Sequence, residues 1–226
     1  MESFLTSAFA LICGQHAAHT WAPGGLLLPC CQRCTGLYVG AAGALLLHAL
    51  CRPQPTTRWQ WVQGMFLLQM VPFGFHWLPQ GPVLRTLTGV LFGFGLVAFL
   101  WPLAANLVTQ ISNLLRRQLP TEEPLTPSPA RGLATRDIPD SKSAPHPRHA
   151  AYALGLGATL LLVPVLAAAG GRFGFLLLSW LAALGALTLA GLVLLNLAAL
   201  GQSLLAAAAR QVGRRGRRPS ERRVPA

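Results

Sequence analysis

Gln32-Arg-Cys34-Thr-Gly36-Leu-Tyr38-Val-Gly40-Ala-Ala-Gly43-Ala-Leu-Leu-Leu-His48-Ala-Leu50 is the stretch that decides the fold class. It is apolar after its first turn, and its only full charge, Arg33, sits at its beginning. About 20 apolar residues in helix cross a bilayer, so this segment reads as a membrane span. The surrounding sequence agrees. Of 226 residues, 53% are hydrophobic and 11% are charged. A soluble domain carries about 25% charged residues to cover its surface. No Asp or Glu occurs between Glu2 and Glu122. The expectation is an all-α, polytopic helical membrane protein.

Working outward, five spans are expected. The first runs from about Gln32 to Leu50, the second from Trp59 to Leu78 and the third from Leu84 to Val108. The fourth runs from Ala150 to Ala169 and the fifth from Phe173 to Leu197, with the apolar pattern continuing to Ala209 as a candidate surface helix. Between the third and fourth spans lie Pro120, Pro124, Pro127, Pro129, Pro139, Pro145 and Pro147. Proline at that density opposes helix and sheet, so a disordered linker is expected there. The units are then an N-terminal Cys/His segment (1–31), a three-helix membrane unit (32–115), the linker (116–149), a two-helix membrane unit (150–209) and a basic tail (210–226). Phe4 to Ile12 is too short to span and reads as interfacial or re-entrant. Glu2 stands where a secretory leader would be basic.

The formal net charge of +12 raises the question of nucleic acid. Its distribution points elsewhere. Seven arginines follow residue 209, directly after an apolar helix and without interleaved stacking aromatics. Such a tail holds anionic lipid at the cytoplasmic face. With five spans, this tail, the linker and the Arg52/Arg58 loop share one side, which is then the cytoplasm. The opposite loops carry only Arg85 and Arg172. The N-terminus is expected outside, periplasmic in a multi-pass protein of a bacterial inner membrane. Trp59, Trp61, Trp77 and Trp101 near span ends read as interfacial anchors.

Four of the five cysteines fall within 22 residues, in Cys13-Gly-Gln-His16-Ala-Ala-His19 and Pro29-Cys30-Cys31-Gln-Arg33-Cys34-Thr35-Gly36. Cys31 and Cys34 open the first span three positions apart, so their sulfurs share a face. A helix N-terminus and Arg33 both favour thiolate, the form that binds metal. Cys13 and His16 have the matching C-x-x-H spacing, and the two pairs could hold zinc. Three readings stay open: metal at Cys13, His16, Cys31 and Cys34; a structural disulfide such as Cys13–Cys31, or a redox-active Cys31–Cys34 pair; and a non-catalytic structural or partner-binding protein in which the cluster only braces the fold. Cys30 beside Cys31 leaves open which of the two is used. His48 and Cys51 lie a helix length away and belong to another place.

The run from Pro29 to Gly40 resembles the signature P-x-C-x-R-C-T-G-x-Y-x-G of the prokaryotic membrane proteins called domain of unknown function 2085. Cys13 stands at that family's first cysteine, His19-Thr20-Trp21 at its Arg-Ser-aromatic run, and Arg85 with Thr88-Gly89 at its later R-x-x-T-G motif. The resemblance covers about residues 10 to 105. It departs at Gly14, where the family has a histidine, and near the end of the second span, where His76 replaces an acid. It implies a fold and a site and supplies no reaction.

Thr35-Gly36-Leu-Tyr-Val-Gly40 and Thr88-Gly89-Val-Leu-Phe-Gly93 repeat one pattern, each preceded by an arginine. Glycines four apart let backbones approach, so the first and third spans are expected to pack along Gly36, Gly40, Gly89 and Gly93. Arg33 and Arg85 would then form a candidate anion contact. His76 is a candidate extra ligand. The last two helices read as a packing module, with Asn196 as a candidate interhelical hydrogen bond. No nucleotide loop, Ser-His-Asp set or metalloprotease helix is present, and no intramembrane carboxylate marks an ion path. Any reaction, substrate or protein partner is left open by the sequence.

Overall fold

The computed structural model describes residues 2–53, 56–75, 77–118 and 147–216. Among them there are helices and no strands. The helices are α1 (Glu2–Ala10), α2 (Gln32–Cys51), α3 (Thr57–Leu68), α4 (Met70–Gly74), α5 (Pro82–Gln118), α6 (Pro147–Ala169) and α7 (Gly171–Gly216). Short 3-10 turns at Ala17–His19 and Pro23–Gly25 shape the segment between α1 and α2. His76 and most of the proline-rich linker, 119–146, lie outside the described residues, as does the tail beyond 216.

Four helices are long and apolar enough to cross a membrane: Gln32–Cys51, Pro82–Leu107, Arg148–Ala169 and Gly171–Leu205. The expected second span is instead broken into α3 and α4. Pro72 explains the break. It has no N–H to give to the Leu68 carbonyl four residues back, and its ring crowds that carbonyl. The helix therefore ends at Leu68. Gln69 covers the discontinuity, donating its side-chain amide to Phe66 O at 3.0 Å and to Thr88 O of α5 at 2.9 Å. The expected surface helix after Leu197 is also different: α7 runs unbroken to Gly216, with no proline inside it.

α2 and α5 lie parallel and in close contact. A methyl added at Gly36 would strike the Thr86 backbone, and one at Gly40 would strike that of Val90. From the other side, a methyl at Gly89 would meet Arg33 and Leu37, and one at Gly93 would meet Leu37 and Ala41. Contact positions rise together along both chains, so both helices start at the same end. α3 and α4 run the other way beside α5: Gln63 and Leu67 reach Gly95, Gln69 reaches Thr88, and Phe73 reaches Arg33 at the head of α2. The broken pair thus returns the chain from the end of α2 to the start of α5.

One core joins the helices on either side of the linker. It includes Val39 and Ala44 of α2, Phe94 of α5, Tyr152 and Val163 of α6, and Leu178 of α7. Lipid gives apolar surfaces no reason to leave it for each other, so close van der Waals fit and interhelical hydrogen bonds hold such a bundle together. Asn196 supplies one of these bonds, donating from α7 to Leu100 O of α5 at 3.0 Å.

Candidate metal centre at the head of α2

Cys31 is the N-cap of α2, with extended backbone at φ −66° and ψ 164°. Thr35 secures the turn: its N–H donates to Cys31 O at 2.8 Å and its hydroxyl donates to the same oxygen at 3.1 Å. Cys34 follows in the first helical turn, three positions on, so its sulfur shares a face with that of Cys31. Cys13 arrives just after α1, where its N–H bonds to Phe9 O at 2.9 Å. Gln15 then takes a positive φ of 44° and donates its side-chain amide to Thr6 O and to Pro29 O, each at 2.7 Å. This amide ties the middle of α1 to the stretch of chain entering α2. The Cys31 N–H consequently donates to the Cys13 sulfur at 3.3 Å.

The sulfurs of Cys13, Cys31 and Cys34 lie within 4.8 Å of one another. Thiolates about 2.3 Å from a tetrahedral zinc stand about 3.8 Å apart. The three sulfurs need to close by no more than about 1 Å, within reach of side-chain rotation, so the donor set fits the ion. His16 is not part of this group. The turn at Gln15 carries the chain away, and His16 becomes the exposed cap of the Ala17–His19 turn, edge-on to His19 at 6.2 Å. The C-x-x-H spacing would place His16 beside Cys13 on a helix, and no helix forms there.

Cys30 also stands apart. It is buried, and its sulfur lies 3.4 Å from the Thr35 hydroxyl. Burial pushes its thiol up to about 12, so it stays protonated. Cys31 behaves oppositely. A hydrogen bond from the Cys34 thiol, aided by neighbouring N–H groups, holds it well below the ordinary thiol range. Because it is held down, the Cys31 thiolate persists at pH values where an ordinary thiol is protonated. Alkylation by iodoacetamide of metal-free, reduced protein should therefore continue at Cys31 at pH 6.5, while Cys30 stays unmodified. Equal rates at the two positions would contradict this electrostatic picture.

The wall of the site comes from elements that sequence spacing does not associate with it. Phe9 of α1 packs on Tyr38 with ring centroids 5.4 Å apart, and Ala182 and Ala186 of α7 pack against the same cluster. Gly185 lets α7 approach, since a methyl there would run into the Tyr38 carbonyl. The small-residue run Ala182-Ala-Leu-Gly185-Ala186 was a readable sign of a close helix contact, but nothing in it named the partner.

Arg33 serves the fold. Its guanidinium donates to Phe73 O at 2.9 Å and to Gln80 Oε1 at 2.8 Å, closing the exit of α4. Arg85 is half-buried one turn before Gly89 on α5. Trp21, from the segment that replaces the Arg-Ser-aromatic run, donates its indole N–H to Thr86 Oγ1 at 2.8 Å and pins the loop to α5.

Residues 13–99 match the family described as predicted membrane protein, DUF2085. The resemblance read from the cysteine motif is thereby shown. The matched stretch begins at the first of the three cysteines and ends within α5. No curated protein and no solved structure matches the chain.

Proposed function

We propose that this membrane protein holds a zinc ion on Cys13, Cys31 and Cys34 at the outer face of the membrane. The observation that carries this reading is the convergence of three sulfurs from two separate segments. Chance does not readily bring Cys13 to a C-x-x-C eighteen residues away, with an amide clamp at Gln15 holding the approach. Among the described residues there are three ligands, not four, and a zinc site with three protein ligands keeps a position for water or substrate. That pattern favours a working site over a closed brace. When bound, zinc would supply Lewis acidity, while the three cysteines bind it and Thr35 fixes the helix turn that presents two of them.

Metal analysis of the purified full chain tests the reading, with an expected content near one zinc per chain. A second reading, a membrane thiol-disulfide oxidoreductase using Cys31 and Cys34, is favoured by the low Cys31 thiol and its hydrogen bond to Cys34. Metal-free protein with a reducible Cys31–Cys34 bond would establish it in place of zinc. Metal loss without any change in cellular function would instead leave a non-catalytic brace.

The proposed topology has five crossings, with the kinked α3–α4 pair as the second. The 1–31 segment and the cysteines are then outside, and the linker and the arginine tail face the cytoplasm and its anionic lipid. In metal-depleted intact cells, an impermeant maleimide should label Cys34 and spare Cys51. Labelling of Cys51 alone would reverse the orientation.

A further inference from the structure

A cavity of about 1100 Å³ opens at the end of the bundle opposite the cysteines. Its lining is graded along the helices. Toward the middle of the bundle the walls are apolar, with Leu45 of α2, Ala98 of α5 and Leu192 of α7. Further along the same parallel helices come Arg52, Asn106 and Thr109, and Gln60 from the start of α3. His48 forms part of the boundary between the two zones, its ring edge-on to Tyr152 at 5.1 Å. Leu187 and Phe99 line the cavity and are also exposed on the bundle surface, so the cavity opens sideways toward lipid.

Among the described residues, two groups in this lining have no partner. Arg52 is exposed, and Glu2, at the far end of the chain, is the sole acid among the described residues. Arg52 also occupies a left-handed helix cap, φ 45°, where glycine is the usual residue. From that cap Arg52, exposed, contributes to the cavity lining. One turn deeper, Gln63 is 1% exposed, and neither end of its amide has a hydrogen-bond partner among the described residues. A buried unpaired amide calls for a ligand or water.

We infer that this cavity binds one anionic glycerolipid from the bilayer, with its headgroup phosphate at Arg52, an ester carbonyl toward Gln63 and its acyl chains against the apolar walls. The order of charge, neutral polar group and hydrocarbon in such a lipid follows the order of the lining. A soluble anion would leave the apolar zone unfilled, and a zwitterionic lipid would bring a cation to Arg52. The site is separate from the proposed metal centre and does not depend on it.

The test is native mass spectrometry of the full chain purified in detergent and titrated with phosphatidylglycerol or with phosphatidylcholine of identical chains. One phosphatidylglycerol should be retained per chain under conditions that strip phosphatidylcholine. Glycerol phosphate should not displace it; displacement would mean a soluble-anion site and overturn the lipid assignment. Arg52→Asn, which keeps a residue tolerant of the left-handed cap, should weaken retention about tenfold or more, and Arg52→Lys should restore most of it. Gln63→Leu should also weaken retention, whereas with no lipid at the amide it would leave retention unchanged. Arg58→Gln, on a nearby arginine outside the lining, should have no effect. Equal retention of both lipids, unaltered binding in Arg52→Asn or in Gln63→Leu, or equal loss in Arg58→Gln would overturn the proposal.

Discussion

Cys34→Ser is expected to reduce the zinc content of the purified protein from about one per chain to below a tenth of that. The size of the effect follows from the ligand count. With three sulfurs within 4.8 Å and no fourth donor among the described residues, the site has no spare ligand to compensate. A hydroxyl is a far poorer zinc ligand than a thiolate, and the remaining two sulfurs come from different segments. Cys31→Ser should act equally, despite the adjacent Cys30. That thiol is buried, bonded to Thr35 and kept protonated, so it is not free to rotate in. His16→Ala should leave the metal in place. Retention of zinc by Cys34→Ser together with its loss in His16→Ala would overturn the ligand assignment. Acidification should release the metal, because protons compete for each thiolate.

Much of this site was legible because helix geometry is local. Cys31 and Cys34 share a face wherever a helix begins at Gln32, and the polarity change at that point announces the helix. Cys13 was legible from its spacing and from the family motif, but its route to the other two sulfurs was not. Its approach depends on Gln15, whose positive φ and paired amide bonds belong to tertiary contacts with Thr6 and Pro29. The same turn explains why His16 misled: ligand spacing presupposes a backbone conformation, and a single left-handed residue redirects the side chain. The break in the second span went unread for a related reason. Hydropathy from Trp59 to Leu78 is continuous, and hydropathy does not register a missing N–H at Pro72. The wall supplied by α7 was beyond reach, since a Leu/Ala/Gly helix packs against any small-residue groove and its sequence does not name one.

The contribution of α7 leads to the second large effect. Gly185→Leu is expected to collapse the yield of folded, detergent-stable protein and to lose the metal with it. The added side chain would have to occupy the space of the Tyr38 carbonyl. Backbone in a helix core does not yield as a flexible side chain would, so α7 must move off α2. Overpacking of this kind typically costs about 1–3 kcal/mol in a well-packed core, and in lipid no hydrophobic gain offsets the lost fit. Gly201, which has open space around it on the same helix and lies outside the cavity lining, is the control: Gly201→Leu should be tolerated. Thermal stability in detergent and zinc content, measured on both variants, separate the outcomes. If Gly185→Leu keeps both at native levels, α7 does not approach the cysteine site as closely as the bundle places it. If it loses metal while Gly201→Leu does not, the last helix, outside the residues 13–99 matched to the family, is a working part of the proposed metal centre.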